Sequence, residues 1–268
     1  MKSADLDSTN YIKLIGGSII TVLIILLSWK SFYAYSCISL IFPIIVLLVI
    51  SSSFISIKMH ERNCYRMCYF KDTSIISKML TSRILVTIIY IILSVMMSIS
   101  VVYGVIEYSI TVWLYIIFHI VISILIFAML NKILKNTINE KFLFIFNREL
   151  TINISAFIFF IAYLYITINS PEPEYLIEGK SLKETITIAS NSISSECCYI
   201  DVVLRFKKEI DSSFWWFVKN GTMNEKNDQL KALIWMAFMI INAFAIVGIN
   251  RFIVQIIYLL NLLFKEKV

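Results

Sequence analysis

Three residues with metal-ligating side chains follow one another at intervals of four. His60, Cys64 and Cys68 would share one face of a helix, and imidazole and thiolate groups bind soft metals. A closed structural site needs four ligands, and the sequence offers no obvious fourth. We therefore predict no metal site and no cofactor.

Two further cysteines, Cys197 and Cys198, are adjacent. A bond between neighbouring cysteines would strain a very short ring. In an oxidising compartment we therefore expect each of them to pair with a cysteine of another subunit or to have no disulfide partner. These two are the candidate disulfide residues. Cys37 falls in an apolar run, where we expect it to pack in lipid.

Polar side chains interrupt two of the long apolar runs. His119 is the one titratable residue well inside its run, and a second run carries four polar residues: Asn242, Asn250, Arg251 and Gln255. Polar residues inside a membrane are functional candidates by default, for instance as the lining of a pore. The alternatives are that a neighbouring Ser or Tyr satisfies His119, and that Arg251 snorkels to the interface.

Catalytic signatures are missing from the sequence. It has no H-E-x-x-H pattern, P-loop, G-x-S-x-G elbow or dinucleotide-binding glycine pattern, and acids are nearly absent from the apolar runs. We predict no catalytic residues and no enzymatic activity.

The elements that hold these residues follow from composition. Apolar residues make up 59% of the 268 residues, charged residues 16%, and the mean hydropathy is +0.82, values outside the range of soluble domains. Six apolar runs reach the ~20 residues that cross a bilayer. The predicted fold is an all-α polytopic membrane protein with six transmembrane helices. The first five lie at about 11–29, 35–57, 84–105, 110–130 and 151–168, and the sixth lies within 231–268.

Lys and Arg are unevenly shared among the gaps between these runs. Gaps 58–83 and 131–150 are basic, while the gaps near 28–36 and 104–110 hold one basic residue, Lys30. We expect this chain in the inner (plasma) membrane. The positive-inside rule then predicts that both basic loops and both termini lie in the cytoplasm. The net charge of +6 is explained by topology, so we expect no nucleic-acid partner. The sixth helix is too long for one perpendicular crossing. It should either tilt steeply or pass into the cytoplasm near Asn250 and Arg251 and bend onto the membrane surface, and we favour the bend.

A polar stretch, 169–230, separates the fifth and sixth helices and should face outward. Period-two alternation at 185–190 and 199–207, the aromatic run 214–218 and the turn pair Asn220 and Gly221 predict a small extracytoplasmic β-rich module. Its candidate partner surface is Trp215, Trp216, Arg205 and Lys207.

These features predict a non-enzymatic inner-membrane protein whose outer module binds or senses a protein partner or another copy of the chain. Frequent Ile, Asn and Lys resemble the usage of AT-rich genes, which by association suggests an immunity, exclusion or phage-defence component of a bacterial mobile element. The alternative is an oligomeric pore-forming or membrane-permeabilising effector, or a small transporter or export subunit.

Overall fold

The structure, a computed structural model, describes residues 8–69, 82–169, 172–224 and 228–266. All regular secondary structure in these ranges is helical. It comprises α1 (Ser8–Phe32), a 3₁₀ helix (Cys37–Leu40), α2 (Ile41–Tyr69), α3 (Arg83–Glu107), α4 (Ile110–Leu134), α5 (Glu140–Asn169), α6 (Leu182–Asn191), α7 (Cys198–Asn224) and α8 (Asp228–Glu266).

Six of these helices are long and apolar enough to cross a membrane, which confirms the predicted six-helix membrane architecture. They are α1 to α5 and α8. Several run beyond the predicted bounds: α2 continues to Tyr69 and α5 starts at Glu140, inside the segments that we predicted as basic loops. Several charged residues of those segments, such as Lys58 and Arg148, therefore lie on helices.

The centre of the bundle is α8, which packs against α1, α2, α3 and α5. In an apolar 18-residue part of Asn242–Phe264, 61% of residues are buried, against 22–44% in the corresponding parts of the other five spans. Gly248 permits a close approach of α8 to α3, because a Cβ at that position would lie 2.8 Å from Val101 Cγ2 and 3.1 Å from Met97 Cβ on α3. The predicted bend near Asn250 and Arg251 is wrong: both residues are buried within one continuous helix.

The bundle has two distinguishable ends. At the first, which we term the module end, α1 meets the 3₁₀ helix and α3 meets α4; there Lys30 Nζ donates to the Tyr108 carbonyl at 2.8 Å. The connections α2–α3 and α4–α5, which contain the basic segments, lie at the other end, here termed the basic end.

The predicted β-rich module is wrong, since its described residues form α6 and α7 and no strand. The segments 185–190, 199–207 and 214–218 are all helical, and Asn220 and Gly221 continue α7. The alternation of apolar and polar residues suggested a strand, but it arises here because α7 is apolar on two opposite faces. Ile200 and Leu204 are buried on one face, while Val202 and Phe206 are exposed on the other. Every second residue from 200 to 206 is therefore apolar although the segment is a helix.

A capping box begins α6. The Ser181 Oγ accepts from the Glu184 N–H, and the Glu184 carboxylate accepts from the Ser181 N–H at 2.9 Å. These contacts, chiefly the Ser181 N–H, hold the pKa of Glu184 below its ordinary value. Just before the box, Gly179 has φ +76°, which glycine adopts without strain.

Helix α7 lies across the module end and is anchored at both ends. At its start, a disulfide joins Cys197 to Cys37, and the Ser195 hydroxyl donates to the Tyr33 carbonyl at 2.6 Å. Towards its end, Val218 packs against Phe160 on α5. The expectations for both paired cysteines are therefore corrected: Cys37 precedes α2 at the module end and is bonded, while Cys198 is an exposed free thiol.

Candidate functional site

A cavity of about 310 Å³ lies between α7 and the module ends of α3, α4 and α5. Aromatic side chains form much of its wall, namely Tyr103, Tyr108, Tyr163, Tyr175 and Trp215. Ionisable side chains contribute Glu107, Lys207 and Asp211, and Asn242 of α8 also lines it. Enclosed pockets with aromatic walls and a few polar groups are the usual form of a small-molecule site.

Two lysines of α7 already place ammonium groups against these walls. Lys208 Nζ donates to Glu107 Oε1 at 2.9 Å and lies 4.8 Å from the ring centroid of Tyr175. Lys207 pairs with Asp211, and its Nζ lies 5.0 Å from the ring centroid of Tyr103. Each ammonium thus has a carboxylate and an aromatic ring as partners, which is the arrangement that favours cations over aromatic faces.

Burial raises the pKa values of two side chains that line this cavity, Asp211 and Tyr175. The pKa of Asp211 is raised above its ordinary value by desolvation, and the nearby Lys207 ammonium opposes the rise. Burial also raises the pKa of the Tyr175 hydroxyl, so this phenol stays protonated in neutral solution. The Glu107 side chain, which also lines the cavity, is 45% exposed.

An apolar stripe covers the opposite face of α7. Tyr199, Val202, Val203 and Phe206 are 76%, 61%, 39% and 62% exposed. They recur at i, i+3, i+4 and i+7, which places them along one side of the helix. We call these four residues the α7 stripe. The sequence reasoning missed it, although the spacing was readable once this segment was taken as a helix.

A hydrogen-bonded network occupies the middle of the bundle. The Asn250 Nδ2 donates to the Ile152 carbonyl at 2.8 Å, which orients the amide. Its Oδ1 then faces His119 Nε2 at 2.8 Å and the Ser155 hydroxyl at 2.9 Å. An amide oxygen only accepts, so His119 carries a proton on Nε2, and the Ser155 hydroxyl shares its one proton between this oxygen and the Thr151 carbonyl at 2.6 Å. Three helices, α4, α5 and α8, are thereby joined.

Nearer the basic end, one carboxylate lies among three cations. Glu149 Oε1 is 3.5 Å from Lys58 Nζ and 3.6 Å from Arg251 Nη2. Arg251 also stacks over the Phe54 ring, 3.7 Å from its centroid. Arg251 is buried rather than snorkelling to an interface.

The third cation is Arg148, which is 1% exposed. It donates to Gln255 Oε1 at 3.3 Å and to the Ser56 hydroxyl, and it stacks over Tyr258 at 4.4 Å. The sequence analysis had assigned Arg148 to a basic loop. The signal that it belongs to the bundle was its place inside the apolar segment Phe142–Thr167.

The sequence-predicted residues divide into two groups. His119, Asn250, Arg251 and Gln255 lie in the interior just described, whereas Asn242 lies at the cavity. Asn242 and Asn250 are eight residues apart, or about 12 Å along α8. Gly248, which contacts α3, lies between these two residues in sequence.

The predicted partner surface is engaged within the module. Trp215 lines the cavity, and Trp216 Nε1 donates to the Lys180 carbonyl at 3.1 Å. Arg205 Nε pairs with Asp201 at 2.8 Å, and Lys207 pairs with Asp211. His60, Cys64 and Cys68 lie on α2, where His60 is exposed. The described residues contain no group of three or more potential metal ligands.

Comparisons with known proteins give no match: no family model, curated protein or solved structure resembles this chain.

Proposed function

We propose that this chain is a non-enzymatic, multi-pass plasma-membrane protein whose extracytoplasmic module binds a protein partner through the α7 stripe. The observation that carries this proposal is the pair of opposed apolar faces on α7. One apolar face packs against the bundle, and the other is exposed.

Two independent features support an extracytoplasmic location for the module. The Lys and Arg of the basic end favour retention of that end in the cytoplasm. The Cys37–Cys197 disulfide belongs to the module end, and such bonds persist in oxidising compartments. Both features give the same orientation, with the termini on the cytoplasmic side.

The stripe has the form of a helix that docks into a groove. Anchors at i, i+3, i+4 and i+7 are the pattern by which amphipathic helices enter apolar grooves. Aromatic anchors at each end, Tyr199 and Phe206, provide the residue types that dominate binding energy at interfaces. Burial of Ile200 and Leu204 on the opposite face holds the helix in place before binding.

Charge favours a protein over anionic lipid as the occupant. Residues 172–224 carry six Lys and Arg against eight Asp and Glu, a net charge of −2, while the rest of the chain carries +8. An acidic module is repelled by anionic head groups. We therefore assign to the partner an apolar groove with a basic rim that faces Glu196 and Glu209, which lie on either side of the stripe in sequence.

Two further roles stay predictions from the sequence. The predicted role in immunity, exclusion or phage defence rests on amino-acid composition. Identification of the protein partner would test it. A pore-forming role rests on the polar residues buried inside the bundle, such as His119 and Asn250.

The proposal is tested by photo-crosslinking from Val202 of the full-length chain in its native membrane. Thr187 is the matched control, because it is exposed on the neighbouring α6. The protein captured from Val202 is then purified, and its affinity for the purified full-length chain is measured. Val202→Asp should weaken binding by about 30-fold, the loss of ~2 kcal/mol typical of an interface anchor, and Thr187→Asp should leave it unchanged.

Other occupants give different results. Crosslinks from Val202 to a second copy of the chain would replace the partner by self-association. Quenching of a fluorophore at residue 202 by spin-labelled lipid would place the stripe in the bilayer. Either result overturns the proposal.

A further inference from the structure

The cavity beneath α7 is a second candidate site, and its lining shares no residue with the α7 stripe. We propose that this cavity binds a compact, uncharged aromatic compound that carries a hydrogen-bonding group such as a hydroxyl. The inference does not rest on the partner-binding proposal, because that proposal concerns only the exposed stripe. Each of the two can therefore fail without the other.

The charged groups at the cavity neutralise one another. In the described part of the chain, the charged side chains of the lining are Glu107, Lys207 and Asp211. Lys207 pairs with Asp211, and Glu107 accepts a hydrogen bond from Lys208 Nζ at 2.9 Å. A charged ligand would lose its hydration on entering and would find no unpaired counter-charge in return. The lining therefore favours an uncharged ligand.

Lys30 adds a positive charge nearby but does not make the cavity a site for anions. Its side chain is not part of the lining: Nζ donates to the Tyr108 carbonyl at 2.8 Å and lies 5.8 Å from the ring centroid of Trp113. The faces of aromatic rings are negative, so a lining rich in such rings disfavours an anion. The charge of Lys30 thus leaves the preference for an uncharged ligand unchanged.

Aromatic rings form much of the apolar surface of the cavity. The five side chains are those of Tyr103, Tyr108, Tyr163, Tyr175 and Trp215. An aromatic ligand gains offset-stacked or edge-to-face contacts with such rings in addition to the apolar area that it buries. The volume of about 310 Å³ lies at the lower end of ligand sites, so the ligand is compact.

Uncharged polar side chains of the lining provide partners for the hydroxyl of such a ligand. They are Ser100, Ser109, Thr167 and Asn242. Ser109 stands at the N-cap of α4, but its side chain makes no capping hydrogen bond. A serine hydroxyl both donates and accepts, so Ser109 can bond a ligand hydroxyl without any charge. The cavity thus combines rings for stacking with neutral groups for hydrogen bonding.

The first test compares probes of one shape and different charge. They are 2-phenylethanol (neutral), 2-phenylethylamine (cationic) and phenylacetate (anionic). Calorimetry measures their binding to the full-length chain in phosphatidylcholine nanodiscs, whose lipid has no net charge, and lipid-only nanodiscs give the baseline. The alcohol should bind at least ~10-fold more tightly than either ion. If the amine or the acid binds as tightly as the alcohol, or if the alcohol shows no saturable binding above the baseline, the proposal is wrong.

The second test concerns the aromatic ring of the ligand. In 2-cyclohexylethanol the ring is aliphatic, while the hydroxyl and the chain are the same as in 2-phenylethanol. It should bind about 3-fold or more weakly, because it loses the ring–ring contacts. Equal affinities of the two alcohols for the chain, after subtraction of the lipid-only baseline, would contradict the aromatic class of ligand.

Two adjacent tryptophans provide a matched pair of variants. Trp215 lines the cavity, whereas Trp216 is not part of the lining and donates to the Lys180 carbonyl. Trp215→Leu should weaken binding of 2-phenylethanol by about 10-fold, and Trp216→Leu should leave it unchanged. Equal weakening by both variants would mean that binding depends on the module as a whole, and the cavity would then not be the site.

Photolabelling locates the site in the unaltered chain, so the result does not depend on how a variant folds. A benzyl alcohol with a diazirine on its ring is photolysed with the chain in nanodiscs, and the labelled residues are identified by mass spectrometry. Excess 2-phenylethanol should suppress labels on lining residues such as Tyr163 and Trp215. Suppression confined to residues outside the lining would overturn the proposal.

Discussion

His119 and Asn250 meet at the centre of the bundle, where the His119 Nε2 donates to the Asn250 Oδ1 at 2.8 Å. The same oxygen accepts from Ser155, and the amide nitrogen donates to the Ile152 carbonyl. One asparagine thus satisfies groups on two neighbouring helices, in surroundings with little water to replace it.

Replacement of this asparagine should be costly. Asn250→Leu removes the acceptor of the buried His119 Nε2–H, whereas the Ser155 hydroxyl keeps the Thr151 carbonyl at 2.6 Å, and we expect a loss of about 1–3 kcal/mol in the free energy of unfolding. Denaturant titration in detergent measures it. Asn261→Leu is the control on the same helix, because within the described residues neither amide atom of Asn261 has a hydrogen-bond partner. Equal losses in both variants would contradict a special role for the network.

The carboxylate of Glu149 should matter more than that of Glu61. Glu149→Gln leaves the buried Arg251 guanidinium without its acidic neighbour, which predicts destabilisation by about 3 kcal/mol. Glu61 pairs with Lys58 at 2.7 Å, but its side chain is 37% exposed, so Glu61→Gln should cost less than about 1 kcal/mol. Thermal unfolding of the two variants under the same conditions provides the comparison. A larger effect at Glu61 would mean that the buried cluster does not hold the bundle together.

Close packing at Gly248 should tolerate no side chain. The added methyl group of Gly248→Ala would lie 2.8 Å from Val101 Cγ2 and 3.2 Å from the Met97 carbonyl oxygen, so we expect a loss of about 1–3 kcal/mol in stability. Gly16→Ala on α1 meets no atom within 4 Å and should be neutral or slightly stabilising, as alanine favours helix. Unfolding midpoints in detergent test both. If Gly248→Ala were as stable as Gly16→Ala, α3 and α8 would have to be less closely packed.

The free thiol of Cys198 reports the orientation of the module. It is exposed, whereas Cys37 and Cys197 are bonded to each other. In intact cells a membrane-impermeant maleimide should label the wild-type chain, and Cys198→Ser should abolish the label. Labelling that appears only after the membrane is permeabilised and that Cys198→Ser removes would place the module in the cytoplasm. The extracytoplasmic site proposed for partner binding would then be wrong.

The sequence predicted the membrane helices because length and hydropathy determine them directly. The buried positions of Arg148 and Glu149 were not predicted, because charged residues beside an apolar run are typical of a loop unless other helices supply their partners. Those partners, Gln255 and Arg251, are 107 and 102 residues away in sequence. Hydropathy carries no information about such pairs.

The module could not be predicted for a different reason. In α7, Ile200 and Leu204 face the bundle, whereas Val202 and Phe206 face away, so alternation suggested a strand. Only the tertiary packing shows that two separate helical faces are apolar. Likewise, the pairing of Cys197 with Cys37 spans 160 residues and depends on how α7 crosses the bundle.

The central position of α8 has a consequence for biosynthesis. This helix leaves the ribosome after α1 to α7, yet it is the one around which α1, α2, α3 and α5 are arranged. The five earlier membrane helices must therefore stay in the membrane, with polar groups such as His119 lacking their final partner, until residues 228–266 are inserted. A nonsense mutation between α7 and α8 would remove the common core of the bundle, and quality-control proteases should recognise the unfinished bundle.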